Sequence, residues 1–239
     1  MSQATAPAAT RGSGFLLVVS SPSGAGKTTL SRRLLEQHRE LRFSVSYTTR
    51  PRRPREQEGI DYHFVSDAQF DEMIGQSAFA EWNLVHGRRY GTALKTVASA
   101  LSAGEQILLD VDYQGALCLA SEFPQAARLV YILPPTLRSL EQRLRGRQTD
   151  SDSVIEQRLR KARDELRFYD RYHYLVVNDE VEHAYGELEA IYLAEQALAR
   201  GETPDPTLLR IARDCRCSER AHLAERLLHE AEGTSAAAP

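Results

Sequence analysis

Eight consecutive residues near the amino terminus have the types and spacing of a loop that binds phosphate groups. They are Ser21, Pro22, Ser23, Gly24, Ala25, Gly26, Lys27 and Thr28. In such a loop, successive backbone N–H groups surround phosphate oxygens, the lysine places its charge on the β- and γ-phosphates, and the last hydroxyl can ligate Mg²⁺. The motif usually begins with glycine, so Ser21 departs from it. The spacing predicts binding of a nucleotide phosphate but leaves the reaction open.

A carboxylate further along the chain could serve the same phosphates. Asp110 ends an apolar run that begins at Ile107. Proteins with a phosphate loop often supply a second Mg²⁺-directed carboxylate from the end of a strand. Thr28 and Asp110 are therefore the candidate magnesium ligands, partly through water. Taken alone, Asp110 fits an ordinary aspartate at a strand end equally well.

An arginine-rich segment suggests a second phosphate site. It contains Arg50, Arg52, Arg53 and Arg55, interrupted by Pro51 and Pro54. A solvated basic loop or a nucleic-acid patch is one interpretation of such a segment. The prolines stiffen it, however, and arginine binds phosphate bidentately, which favours one compact dianion over a long polyanion. Tyr62 and Tyr90 could each add a phenolic donor to that phosphate.

The elements that must position these residues follow an alternating pattern. Strands are predicted at 15–20, 43–48, 79–85, 107–110, 129–133 and 174–177, and helices at 28–37, 66–74, 95–103, 114–121, 137–145, 153–169 and 185–199. Two capping boxes, Ser66 with Gln69 and Ser153 with Glu156, mark helix starts. The alternation predicts an α/β fold with a largely parallel sheet.

The same pattern divides the chain into regions. Residues 1–14 are expected to form a disordered leader, 15–45 and 94–200 the core, and about 46–93 an insertion rich in short strands and turns. Residues 201–239 are expected to form a peripheral helical extension, in which Leu223 and Leu227 lie one helical turn apart.

Composition excludes several classes of protein. The net charge of the 239 residues is −3, which argues against a general role in nucleic-acid binding. No apolar run approaches the roughly 20 residues of a membrane span. Cys118, Cys215 and Cys217 have no disulfide-framework spacing, which fits a reducing cytoplasm. A homo-oligomer is left open.

Several segments together, in order and at the right spacing, resemble the guanylate kinase family. They are residues 20–30 and 43–53, Gly59-x-Asp-Tyr62, Glu81-Trp82, Tyr90-Gly-Thr92, Leu109-Asp-Val-Asp112-x-Gln-Gly115 and Arg143-Leu-Arg-Gly-Arg147. The resemblance spans about 15–199. It implies a P-loop NTPase-type parallel sheet core flanked by helices, an inserted mixed-β subdomain that binds GMP, and a short mobile lid at about 143–158.

The resemblance also implies a role for individual residues. Those matching the family's GMP-phosphate ligands are Arg50, Arg53, Tyr62 and Tyr90, and those matching its guanine ligands are Ser46, Glu81, Thr92 and Asp112. Those matching the lid and its neighbour are Arg143, Arg147 and Arg158, which with Lys27 and Arg50 form the implied catalytic set. Asn178 and Asp179 match a turn near the adenine. Gln148 stands where the family often has glycine after its second lid arginine.

The chemistry of guanine agrees with a carboxylate at position 81. Guanine presents N1–H and a 2-amino group as adjacent donors, so one carboxylate can accept from both. Adenine has an acceptor at N1 and would leave the carboxylate unpaired. A site built on such polar pairing can discriminate by about 10⁴-fold.

The expected reaction is phosphoryl transfer from ATP, with Mg²⁺, to GMP and dGMP. Two alternatives stay open at this stage. One is a P-loop kinase for another small phosphorylated acceptor. The other is a non-catalytic guanylate-kinase-like binding module, although such modules typically lack a working phosphate loop and lid arginines. Fold alone does not decide between them.

Overall fold

Strands and helices alternate along the chain in the structure, a computed structural model that describes residues 13–85, 87–146 and 151–235. The strands are β1 (Phe15–Ser20), β2 (Arg42–Phe43), β3 (Tyr47–Thr48), β4 (His63–Phe64), β5 (Phe79–Val85), β6 (Arg88–Ala93), β7 (Gln106–Asp110), β8 (Ala127–Leu133) and β9 (Tyr174–Val177). The helices are α1 (Lys27–Gln37), α2 (Asp67–Gly75), α3 (Leu94–Ser102), α4 (Tyr113–Glu122), α5 (Leu137–Arg145), α6 (Asp152–Leu166), α7 (Val181–Ala199), α8 (Pro206–Asp214) and α9 (Cys217–Ser235).

The core sheet is parallel, as the sequence predicts. Its strand order is β2-β7-β1-β8-β9, and each neighbouring pair is parallel. Every residue of β1 is buried, because helices cover both faces of the sheet. Leu16 and Val18 pack with residues of α3 to α6 on one face, whereas Leu17 and Val19 pack with α1 and α7 on the other. The fold is therefore a P-loop-type α/β core.

The second sheet is mixed and lies within the predicted insertion. Its order is β4-β3-β6-β5, with β3 parallel to β4 and antiparallel to β6. The prediction of one strand at 43–48 is wrong, because the chain changes sheets there. The Ser44 N–H donates to Leu108 O in the core sheet, whereas Ser46 O accepts from His63 N in the second sheet. A continuous β-like pattern thus hides a change of pairing partners.

Helix starts were predicted with mixed success. The capping box at Ser66 is confirmed, because Ser66 Oγ accepts from Gln69 N and the Gln69 side chain accepts from Ser66 N. The box at Ser153 is wrong. α6 begins one residue earlier with Ser151 as its N-cap, and the Ser151 and Ser153 hydroxyls hydrogen-bond to each other at 3.0 Å. The same helix ends at Leu166, short of the predicted 169, and a 3-10 turn follows.

The carboxyl-terminal region forms two helices where the sequence suggested one. Asp205 caps α8 by accepting from the N–H groups of Thr207 and Leu208. α9 then packs on the core through Ala224 and Leu227, which are fully buried. Its Glu230 carboxylate accepts from Leu137 N at the start of α5. The extension is thus built into one face of the core.

Two further expectations concern the ends and the membrane. Residues 1–12 of the predicted leader lie outside the described residues, whereas the Ser13 N–H donates to Ala199 O at the end of α7. Among residues 13–85, 87–146 and 151–235, we find no helix with the length and apolarity needed to cross a bilayer.

Arg220→Ala is expected to lower the free energy of unfolding by about 3 kcal/mol, because it removes the main partner of a buried carboxylate. Arg220 donates through both Nη atoms to Glu187, at 2.8 and 2.6 Å, and Glu187 is only 4% exposed. Urea denaturation measures the loss. Arg226→Ala, at an exposed position of the same helix, should change it little. Equal free energies of unfolding in the two variants would contradict the role of Arg220 as the main partner of Glu187.

Candidate active site

The predicted phosphate loop lies between β1 and α1, where its motif requires. Gly26 is the N-cap of α1 and has a φ of 101°, a left-handed conformation that favours glycine. A Cβ at this position would lie 2.1 Å from Asn178 Nδ2, so a side chain is excluded sterically as well. Because Gly26 has no capping side chain, the first N–H groups of α1 are left to a ligand. The loop has the geometry of an anion site.

Two residues from other elements hold this loop in place. Asn178, at the end of β9, donates from Nδ2 to Ala25 O at 2.6 Å. Arg143 of α5 donates to Ala25 O at 3.3 Å and to Asn178 O at 2.8 Å. Sequence reasoning gave Asn178 only an adenine-side position and Arg143 only a lid role. Both also support the phosphate loop.

Lys27 joins the loop to the neighbouring strand. Its Nζ lies 2.5 Å from Asp110 Oδ1 and donates to Val111 O at 2.9 Å. Asp110 is the last residue of β7, directly beside Val19 of β1. The predicted lysine and the predicted magnesium-directed carboxylate are therefore in contact.

These residues line a cavity of about 310 Å³, which we call the phosphate-loop cavity. The residues that line it include Ser21, Pro22, Ser23, Gly24, Gly26, Lys27, Thr28, Asp110, Asp112, Arg158, Lys161, Ala162 and Glu165. Thr28 and Asp110 face the same space, and their hydroxyl and carboxylate oxygens are the ligand type that Mg²⁺ binds beside phosphate oxygens and water. The donor set fits that ion.

A second cavity of about 160 Å³ adjoins the first, and we call it the Glu81 cavity. It is lined by Lys27, Ser46, Tyr62, Glu81, Asn83, Val85, Tyr90, Asp110, Val111 and Asp112. Lys27 and Asp110 line both cavities. The two cavities therefore meet at these two side chains.

Glu81 is the central polar residue of the second cavity. It is 8% exposed, and its Oε1 accepts from the Thr92 hydroxyl at 2.5 Å across the β5–β6 pair. Burial, with a smaller contribution from nearby Asp112, raises its pKa to about 7. A Cβ on Gly115 would lie 2.7 Å from Glu81 Oε2, so only glycine permits this approach. Glu81 is thus a buried hydrogen-bond acceptor that lines the cavity, and burial disfavours its charged form.

Asp112 has a structural task besides its place in both cavities. It is the N-cap of α4, and its Oδ1 accepts from Gly115 N at 3.0 Å. Capping the helix that carries Gly115 fixes the backbone against which Glu81 packs. Ser46 lines the Glu81 cavity from the segment that crosses between the sheets.

Arg50 is fixed by a partner that sequence reasoning missed. Glu56 accepts from both Nη atoms of Arg50, at 3.0 and 2.8 Å, and from Arg53 N at 2.9 Å. Arg50 Nε also donates to Tyr90 OH at 3.2 Å, and the guanidinium lies 5.2 Å from the Tyr62 ring centroid. Glu56 raises the pKa of Arg50, whereas burial raises that of Tyr62 to about 12. Glu56, three residues after Arg53, was the feature of the sequence that could have indicated this partner.

The remaining predicted residues are placed less centrally. Arg158 lines the phosphate-loop cavity, whereas the Arg53 side chain is exposed. Asp179 accepts from Glu180 N at 2.7 Å and from the His183 ring, and it is not among the described residues lining either cavity. Arg147 and Gln148 lie outside the described residues. Lys161 and Glu165 line the phosphate-loop cavity and were not predicted.

A phosphate loop on a parallel sheet, with a second polar cavity beside it, is the arrangement of a P-loop kinase. The chain belongs to the guanylate kinase family, because the family model described as guanylate kinase matches residues 13–195. The resemblance seen in the sequence is thereby confirmed.

Individual relatives agree with the family match. The chain is 50% identical over 206 residues to a guanylate kinase of Anaeromyxobacter dehalogenans, covering 86% of this chain and 91% of that protein. It is 49% identical over 182 residues to one of Syntrophotalea carbinolica, covering 76% and 86%. The crystal structure of guanylate kinase from Anaplasma phagocytophilum superposes with a TM-score of 0.66 at 31% identity, covering 78% of this chain and 88% of that one.

Glu81→Gln is expected to raise Tm by about 5 °C at pH 8 in the absence of nucleotide, and to change it little at pH 5. The Glu81 pKa is about 7 when folded and is ordinarily 4.5. The free energy of unfolding therefore falls as the pH rises from 4.5 to 7, because the folded state keeps the Glu81 proton that the unfolded state has lost. Above pH 7 the folded state carries a buried charge and this loss is complete. Differential scanning fluorimetry measures the shift.

Glu202→Gln, at an exposed loop position, is the control and should show no such dependence on pH. A Glu81→Gln variant that is destabilised equally at both pH values would show that the carboxylate is not under this strain.

Proposed function

We propose that this protein transfers the γ-phosphoryl group of ATP directly to GMP, and to dGMP, giving ADP and the nucleoside diphosphate. The observation that carries the acceptor is the buried Glu81, which lines the cavity adjoining the phosphate loop and accepts a hydrogen bond from the Thr92 hydroxyl. Family membership supports the reaction type. It also disfavours the two alternatives, a kinase for another acceptor and a non-catalytic module, since the relatives named above are called guanylate kinases.

In this proposal, Glu81 recognises guanine by accepting hydrogen bonds from the two adjacent donors of the base. N1–H and the 2-amino group would meet one carboxylate, while Ser46 and Asp112 line the same cavity and the Thr92 hydroxyl donates to Glu81. The cost of keeping a carboxylate in a buried position is recovered only when donors reach it. Adenine offers no such donors there, so its binding would leave the charge unpaired.

The acceptor phosphate is assigned to the arginine segment. Arg50, Arg53, Tyr62 and Tyr90 would hold it, with Arg50 already oriented by Glu56 and Tyr90. A guanidinium whose direction is fixed loses less entropy when it binds phosphate. Glu56 thus acts as the residue that prepares Arg50.

Transfer itself needs alignment and neutralisation of charge. Lys27 would bind the β- and γ-phosphates, with Arg143, Arg147 and Arg158 on the lid side. The phosphate of GMP has a second pKa of about 6 and is largely a dianion at pH 7, so no general base is required. Thr28 and Asp110 would hold Mg²⁺, which when bound neutralises charge on the phosphates. We place the activity in the cytoplasm.

Glu81→Gln is expected to lower kcat/KM for GMP by about 10³-fold, because the amide N–H₂ opposes the 2-amino group of guanine. The KM for ATP should stay near its wild-type value. A coupled assay of ADP release with GMP, AMP, dTMP and UMP as acceptors measures the preference. Unchanged discrimination in favour of GMP would rule out Glu81 as the residue that reads the base.

Lys27→Ala is expected to lower kcat by about 10³-fold or more while the fold stays intact, because one preorganised charge on the transferring group is lost. The ADP-release assay gives the rate, and circular dichroism checks the fold. Lys95→Ala, at an exposed position of α3, is the matched control. A near-normal kcat in Lys27→Ala would contradict its proposed role.

A further inference from the structure

One face of α6 lines the phosphate-loop cavity together with the loop. Its residues in that lining are Arg158, Lys161, Ala162 and Glu165. The spacing of three, four and seven positions places these side chains along a single stripe of an α-helix. Of the charged members, the sequence pointed only to Arg158. The other two form a pair whose purpose needs explanation.

In this pair, Glu165 anchors the cation Lys161. Lys161 Nζ lies 3.5 Å from Glu165 Oε1, one helical turn away, and Glu165 is 6% exposed while Lys161 is half-buried. A carboxylate this deep beside a phosphate site repels the ligand unless a cation compensates it. An anchor also limits the rotamers of a lysine, which otherwise loses side-chain entropy when it is fixed.

The charges around the cavity indicate what the anchored cation is for. Its lining contains the cations Lys27, Arg158 and Lys161 and the carboxylates Asp110, Asp112 and Glu165. Lys161 brings the number of cations in this lining to that of the carboxylates, and burial raises the pKa of Glu165 to about 7. Lys161 therefore makes the lining more favourable for a polyphosphate.

We propose that Lys161 is a further phosphate-binding residue for ATP, and that Glu165 is a positioning residue that directs Lys161 into the phosphate-loop cavity. The inference rests on the proposed transfer from ATP. Lys161 contributes a point charge from α6 to the cavity that Lys27 also lines. Glu165 acts only through Lys161 and touches no substrate.

Steady-state kinetics of four variants test this. Lys161→Ala is expected to lower kcat/KM for ATP by about 10- to 100-fold, the loss of one charged hydrogen bond, and Lys161→Arg should recover most of it. Glu165→Gln should cause a smaller loss of the same kind. The double variant should be no worse than Lys161→Ala, because the effect of Glu165 passes through Lys161.

Arg160→Ala, at an exposed position of the same helix, is the control and should leave kcat/KM for ATP unchanged. Thermal unfolding without nucleotide checks each fold. The inference is overturned if Lys161→Ala matches the wild type, or if the losses of the two single variants add in the double variant. The proposed function fails separately, if the wild-type protein releases no ADP with GMP as acceptor.

Discussion

The contact between Lys27 and the end of β7 is the interaction on which the site depends. Lys27 Nζ meets Asp110 Oδ1 and Val111 O because β1 and β7 are adjacent and parallel, so their carboxyl ends reach the same edge of the sheet. Both cavities meet at this contact. The two cavities therefore meet at an edge of the core sheet that the pairing of β1 with β7 holds in place.

The phosphate loop gains its shape from the opposite side of the same edge. Asn178 comes from the end of β9, and it contacts the loop so closely that position 26 has no room for a Cβ. Arg143 ties the end of α5 to both partners. α5 and the phosphate loop are thus linked by hydrogen bonds through Arg143. Asn178 and Arg143 therefore fix the backbone of the glycine-rich loop through its Ala25 carbonyl.

Local signals in the sequence were sufficient for part of this description. The phosphate loop, Asp110 and the parallel core follow from motif spacing and apolar runs, and the structure bears out that core. The strand at 43–48 failed because pairing partners are set by residues far along the chain, which a local pattern does not contain. The predicted start of α6 at Ser153 is wrong because the helix begins at Asp152, so Ser153 lies inside its first turn and cannot act as the N-cap. Lys161 and Glu165 were missed because the face that α6 turns to the cavity is decided by packing.

Glu81 shows how stability and recognition oppose each other in this fold. Burial removes water from its carboxylate, and hydrogen bonds from Thr92 and Asn83 replace only part of that hydration, so its pKa rises to about 7. An apolar residue at this position would stabilise the empty site but would bind all bases alike. In the proposed complex, guanine supplies the donors that burial removed. Burial of the Glu81 charge destabilises the empty protein, and two hydrogen bonds from guanine would offset that destabilisation in the complex. A base without two adjacent donors would not offset it, so the buried charge favours guanine.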